Sequence, residues 1–252
     1  MRVAVVGHVE WVEFVRVAAV PLPGQIAHAL ETWEEPGGGG AVAAAQLARL
    51  SGACSLFTAL GSDELGRRTR AELSRLAVEV RAIPETEPTR RAFTYVDDTG
   101  ERTITVLNEK LRPRGGDSRL PWRELAGMDG VFFVSGDAEA LHHCRTARVL
   151  VATARELPTI QEAGVELDAL VGSGEDEGEL YHPGDLVPPP KVAVSPLPQA
   201  IPKPPQARPR ERAARVRVRF IGGVSKVEVG AAILPSPPVD AAARAGYRYG
   251  PG

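Results

Sequence analysis

The sequence predicts an α/β protein: a mostly parallel sheet flanked by helices, with a small β lid. Short apolar runs closed by glycine read as buried strands, and stretches at helical spacing lie between them. One hairpin with a polar edge stands apart from both. At 252 residues the chain is long enough to bury a substantial core as one domain.

The elements follow in order. RVAVVG at 2–7 is the pattern of a strand buried in a parallel sheet. Residues 12–20 alternate loosely and stop at Pro21-Leu22-Pro23-Gly24; with the stretch ending at Trp33 they read as lid or edge strands. After Pro36, the four glycines 37–40 read as a glycine-rich loop feeding a helix, AVAAAQLARLSG, with Gly52 near its C-cap. Residues 55–61 are the next buried strand, and Asp63 is placed to N-cap a helix carrying Leu65, Leu73 and Leu76. Residues 92–107 form the hairpin, with its turn at Asp97-Asp98-Thr99-Gly100. The alternation resumes with a strand at 130–136, a helix through Leu141 to Leu150 and a strand at 170–172.

Charge and composition limit the function. A net charge of −2 excludes a globally basic binder of nucleic acid or of an anionic membrane. No apolar run reaches the ~20 residues needed to span a bilayer, and the first strand is too short for a signal peptide, so a cytoplasmic protein is expected. Cys54 and Cys144 have no partner at metal-ligand spacing and read as buried small hydrophobes. Beyond Ser195 the texture changes: Ala, Arg, Pro and Gly make up 34 of the 57 remaining residues, and 10 basic side chains face 3 acidic ones. The chain therefore divides into an α/β domain, 1–195, and a tail, 196–252, of extended or disordered composition in which 224–233 could add an edge strand. Without interleaved aromatics the tail's arginines read as solvated charge, and nucleic acid is not an expected partner.

The order of these elements, and four stretches of sequence, resemble the ribokinase-like carbohydrate kinases, the PfkB family. GGGGAVAAAQLARLSG at 37–52 is similar to the family's first signature, with Gly37, Gly38 and Gly40 on the motif glycines and Val42 in the place of its Asn. Residues 58–66 resemble its strand-G-x-D-x-x-G step, and residues 89–111 its lid hairpin. Asp176-Glu177-Gly178-Glu179 is similar to the N-x-x-E motif, with Asp176 for Asn and Glu179 on the acid; a second register would use Glu177.

The resemblance implies ATP-dependent phosphorylation of a sugar or related polyhydroxylated metabolite, with ATP and Mg²⁺ as cofactors. It places the lid at about 9–35 and 90–111 and makes it the expected surface for a homodimer. The sugar would meet Gly37, Gly38 and Gly40 and, at the lid base, Glu10 and Glu13. Asp176 and Glu179 would serve the nucleotide side, Glu179 acting on Mg²⁺ and phosphate through water. The family's second signature, D-T-x-G-A-G-D, supplies the phosphate-holding turn and the catalytic Asp; no G-A-G-D occurs here, and Val239-Asp240 stands only where the V-D that opens the signature would. No catalytic residue is therefore assigned. GC-rich codons for Arg, Pro, Ala and Gly make an out-of-frame reading of the last 57 residues one account of this loss. Two competing readings follow, an inactive sugar-binding remnant and an interaction module with a basic tail.

Other candidates carry plainer readings. Glu10 and Glu13 serve equally as solvated lid charges. His142, His143 and Cys144 point apart on a helix and lack a third ligand, so a surface pair of histidines is expected. Asp137 ends a strand in the crevice region, where it either N-caps the next helix or approaches substrate.

Overall fold

In the computed structural model, residues 1–174 and 176–194 are described with their side chains. Residues 195–196, Ala213–Phe220 and Glu228–Ala232 are described as backbone. The rest of the tail, with Asp240, lies outside the described residues.

The first strand, β1 (Val3–Val6), is buried along its whole length, as a run of Val and Ala without polar alternation requires. It lies inside a sheet between β4 (Cys54–Gly61) and β8 (Gly130–Phe133), both parallel to it. On one side β5 (Val78–Glu85) follows β4; on the other come β9 (Leu150–Thr153), β10 (Ala169–Val171) and β11 (Val192–Pro196). All seven of these strands run parallel. The backbone of β12 (Ala213–Phe220) and β13 (Glu228–Ala232) continues the sheet antiparallel beyond β11, and β13 falls within the stretch expected to add an edge strand.

Helix α1 (Gly38–Ser51) covers one face with Gly40, Ala41, Ala44 and Ala48, small side chains that let it lie close to the sheet. It ends where expected: Gly52 takes φ +89°, and its N–H reaches the Ala48 carbonyl. Helix α2 (Glu64–Arg75) is capped by Asp63, which accepts from the Gly66 N–H at 2.8 Å. On the opposite face of the sheet lie α3 (Ala138–Cys144) and α4 (Leu157–Ala163).

The lid is a separate sheet in the order β3-β2-β6-β7, made of β2 (Glu10–Arg16), β3 (Glu31–Gly37), β6 (Arg91–Val96) and β7 (Arg102–Val106). The expected hairpin is the antiparallel β6–β7 pair, its turn held by Asp97 accepting from Thr99 and Glu101. The lid is fastened to α2 by Arg68, which lies 4.2 Å from the Trp11 ring centre and 3.1 Å from Glu34.

Three expectations need correction, and one strand has no counterpart in the sequence reading. The glycines 37–40 are not a loop: Gly37 closes β3 and Gly38 opens α1, because Gly38 at φ +79° turns the chain from strand to helix in one residue. The helix expected up to Leu150 stops at Cys144, and Leu150 begins β9, buried between two strands. The stretch 78–85, where charges interrupt the apolar pattern, is that strand, β5, and it pairs with β4 over eight residues. His143 is not a surface residue: its ring stacks on Trp122 at 5.0 Å, Trp122 stacks on Phe57, and Nε2 lies 3.2 Å from the Gly115 carbonyl.

Candidate functional site beneath the lid

Parallel sheets of this kind open their crevices at the carboxyl ends of the strands. Here β1 ends at Gly7 and His8, and the chain turns directly into the lid at Glu10. Gly40 sits against that turn: its N–H donates to the His8 carbonyl at 3.0 Å, and a Cβ on it would stand 2.5 Å from the same oxygen. The first glycine signature is therefore also a packing device, bringing the start of α1 onto the end of β1. At Gly38 a Cβ would stand 3.2 Å from both the Glu10 Cγ and the His8 ring, so Glu10, His8 and Gly38 meet at one point.

Cations from separate stretches converge there. Arg90, just before β6, places Nε 3.1 Å from Glu10 Oε2. Past β7 the chain crosses back over the domain, carrying Lys110 and Arg112. Each lies 3.8 Å from the buried carboxylate of Glu156, and the crossing is pinned where the Gly115 N–H donates to Asp137. Asp137 also accepts from the Ala140 N–H at 2.8 Å, so the structure gives it the capping role. Arg155, next to Glu156, completes the set.

Burial, and then the charges of Lys110, Arg90, Arg112 and Arg155, push the His8 pKa down to about 3. The ring is therefore neutral near pH 7. Burial also lowers the pKa of Lys110, with the neighbouring arginines adding to it against the pull of Glu156.

The site residues read from the sequence are only partly brought together. Glu10 faces this crevice with its side chain 14 % exposed. Glu13, three residues on in the same strand, points to the other face of the lid sheet and pairs with Arg91. Gly37 lies beside Val12, and Val42 is exposed on the first turn of α1. Asp176 and Glu179 flank a short 3₁₀ turn after β10 and share one cation, Arg155, which donates to Glu179 Oε1 at 2.8 Å and to Asp176 Oδ2. Their remaining oxygens accept from the backbone N–H groups of Ser173 and Gly178. All four carboxylate oxygens are thus engaged, which does not fit direct ligation of a metal. Among the described residues no group of three or more His, Cys, Asp or Glu side chains could hold one.

Sequence reasoning passed over His8, Arg90, Lys110, Arg112, Arg155 and Glu156. Four cations scattered over 66 positions form no motif, and only His8, directly after the first strand, carried a positional hint.

A long parallel sheet, a lid rising from the end of its first strand and a glycine junction beneath that lid are the features of the ribokinase-like fold. The chain has that fold, and its residues 1–117 match the pfkB family carbohydrate kinases. It is 29 % identical over 159 residues to an ATP-dependent ribose-1-phosphate kinase of Halopiger xanaduensis, a match covering 62 % of this chain. The chain spans about half the length of that curated relative, 51 %. The ribokinase of Thermotoga maritima shares the fold with a TM-score of 0.64 at 19 % identity, covering 95 % of this chain and 80 % of that one. Phosphofructokinase-2 of Escherichia coli, solved with fructose-6-phosphate, gives 0.59 at 14 % identity over 94 % and 80 %.

Proposed function

We propose that the protein serves ATP-dependent phosphorylation of a sugar or related polyhydroxylated metabolite, and that the crevice beneath the lid is where this acceptor binds. One observation carries the reading: Glu10, His8 and the glycine junction meet at the end of β1 under a lid fastened to α2. Glu10 would accept bonds from sugar hydroxyls, with Arg90, 3.1 Å away, orienting the carboxylate. Gly37, Gly38 and Gly40 would let the acceptor approach the backbone. Glu13, paired with Arg91, would steady the lid, whose outer edge would serve a homodimer.

ATP and Mg²⁺ belong to this reading through the family. Phosphoryl transfer rests on positioning and charge stabilisation; on this chain Asp176 and Glu179 would act toward the nucleotide through water while Arg155 orders them. The absence of G-A-G-D from the 252 residues favours a second reading, in which the protein binds the sugar without transferring phosphate. A coupled ATPase assay over a sugar panel, beside calorimetry without nucleotide, separates the two. Sugar-dependent ADP release supports the kinase and binding without turnover the remnant; no binding of any sugar overturns both.

A further inference from the structure

The last strand of the lid is exposed at every residue, and so are Leu107, Asn108 and Glu109 after it. Further on the chain is fixed to the domain. Leu111 is buried in the core, and Gly115 is held by two directed contacts, its N–H donating to Asp137 and its carbonyl lying 3.2 Å from His143 Nε2. A Cβ on Gly115 would stand 2.3 Å from the Ala140 N, so this end has no room to shift. Lys110 and Arg112 lie between the exposed stretch and the fixed one, and both meet a single group, the carboxylate of Glu156.

Glu156 stands in the turn between β9 and α4, with its side chain 5 % exposed. Its Oε1 lies 3.8 Å from Lys110 Nζ and its Oε2 3.8 Å from an Arg112 nitrogen, beyond hydrogen-bond distance. Oε2 also accepts the Thr159 hydroxyl at 3.2 Å. A neutral amide of the same shape could accept that bond and fill the same space without the cost of burying an ion. What the charge adds is a pull on two cations of the crossing, which needs no hydrogen-bond alignment. Lys110, together with Val106 to Glu109, forms one wall of an open hollow of about 670 Å³ at the lid base. Arg90, the partner of Glu10, stands on its other side.

We infer that Glu156 is a positioning residue: by attracting Lys110 and Arg112 it sets where the end of β7 rests on the domain, and so the width of the hollow beside Arg90 and Glu10. This rests on the acceptor-binding reading above and assigns to it a residue that acts through two others without touching the acceptor.

Two measurements on the full chain test this, using Glu156→Gln, the double variant Lys110→Met/Arg112→Gln and all three substitutions together. Circular dichroism checks that they fold. Should Glu156→Gln fail to fold, the triple variant, in which none of these charges is left unpaired, carries both measurements. Amide exchange without ligand reads the contact itself: residues 102–112 should exchange about threefold or more faster in Glu156→Gln, with α4 and Gly115 unchanged. Calorimetry over pentoses, hexoses and their phosphate esters reads the consequence. For the ligand that binds tightest, Glu156→Gln and the double variant should each lose about tenfold. The triple variant should also lose about tenfold rather than a hundredfold, because the three side chains act as one contact. Unchanged exchange over 102–112 would overturn the inference, and so would exchange quickened equally in α4, which marks a purely structural role. Affinities that stay at the parent value, or losses that multiply in the triple variant, would overturn it too and leave the sugar-binding reading standing. No binding of any of these ligands by the parent would overturn both.

Discussion

Asp63 and Thr89 are joined twice: the carboxylate accepts the Thr89 hydroxyl at 2.6 Å and the Thr89 backbone N–H at 2.8 Å. The same carboxylate caps α2 through the Gly66 N–H. One side chain thus ties the start of a domain helix to the strand that enters the lid. The two glycines of the G-x-D-x-x-G step are explained by the same contact, since a Cβ on Gly61 would stand 2.3 Å from the Thr89 N, and one on Gly66 3.1 Å from its hydroxyl.

Asp63→Ala should destabilise the protein by about 1–3 kcal/mol, the cost of a lost cap plus buried donors left unpaired, read from urea unfolding. Burial raises the pKa of this carboxyl, but the hydrogen bonds from Thr89 and Gly66 outweigh it, so the folded value lies below the ordinary one. Its contribution to stability is therefore present above the unfolded carboxylate pKa and is lost as pH falls through the folded one. Acid unfolding of Asp63→Asn should be less steep below about pH 4 than that of the parent. An unchanged acid limb would contradict this role.

Gly40→Ala should cost about 1–3 kcal/mol, because the new methyl group meets the His8 carbonyl and the backbone at Gly7, which cannot rotate away. It should also weaken sugar binding by moving His8. Gly52→Ala is the contrasting control. No atom lies within 4 Å of its Cβ position, so its penalty should come from the left-handed φ alone, with binding kept.

Glu10→Gln should lower sugar affinity about tenfold in calorimetry, since a charged acceptor of hydroxyl bonds is lost. Glu13→Gln should change it by less than about twofold, because that carboxylate lies on the opposite face, paired with Arg91 and away from the crevice. Equal losses in the two variants would contradict the assignment of Glu10 to the crevice.

Arg155→Ala should release the turn after β10. The Arg155 guanidinium and then the Gly178 N–H hold the Asp176 carboxyl below its usual range, so the Asp176 pKa should rise in the variant when followed by NMR titration. Amide exchange at residues 173–180 should quicken at the same time.

The gene should hold a G-A-G-D in another reading frame beyond the codon for Ser195 if the change in composition there is a displaced frame. Sequencing through this region decides it, and the lack of such a frame removes the idea. An evolved nucleic-acid arm would instead give binding that falls steeply with salt.

Much of the fold was legible from local pattern. The strands at 2–7 and 55–61, the Asp63 cap, the Gly52 C-cap and the hairpin at 92–107 each rest on residues close in sequence, where periodicity and turn chemistry act directly. Only tertiary structure could make a strand of 78–85, whose charges alternate at a sheet edge, or cut the helix before Leu150. In both, pairing with a distant strand overrides local preference.

The site divides in the same way. The sequence by itself determined that a glycine junction, a lid and an acidic motif follow in the order of a sugar kinase. Once 10–16 is a strand its alternation puts Glu10 and Glu13 on opposite faces, but which of the two meets the crevice is set by the domain the lid sheet packs against. Nor could the sequence gather Arg90, Lys110, Arg112 and Arg155 around His8. Charges interact through space: the start of β6 brings Arg90, the crossing of the chain after β7 brings Lys110 and Arg112, and the turn after β9 brings Arg155.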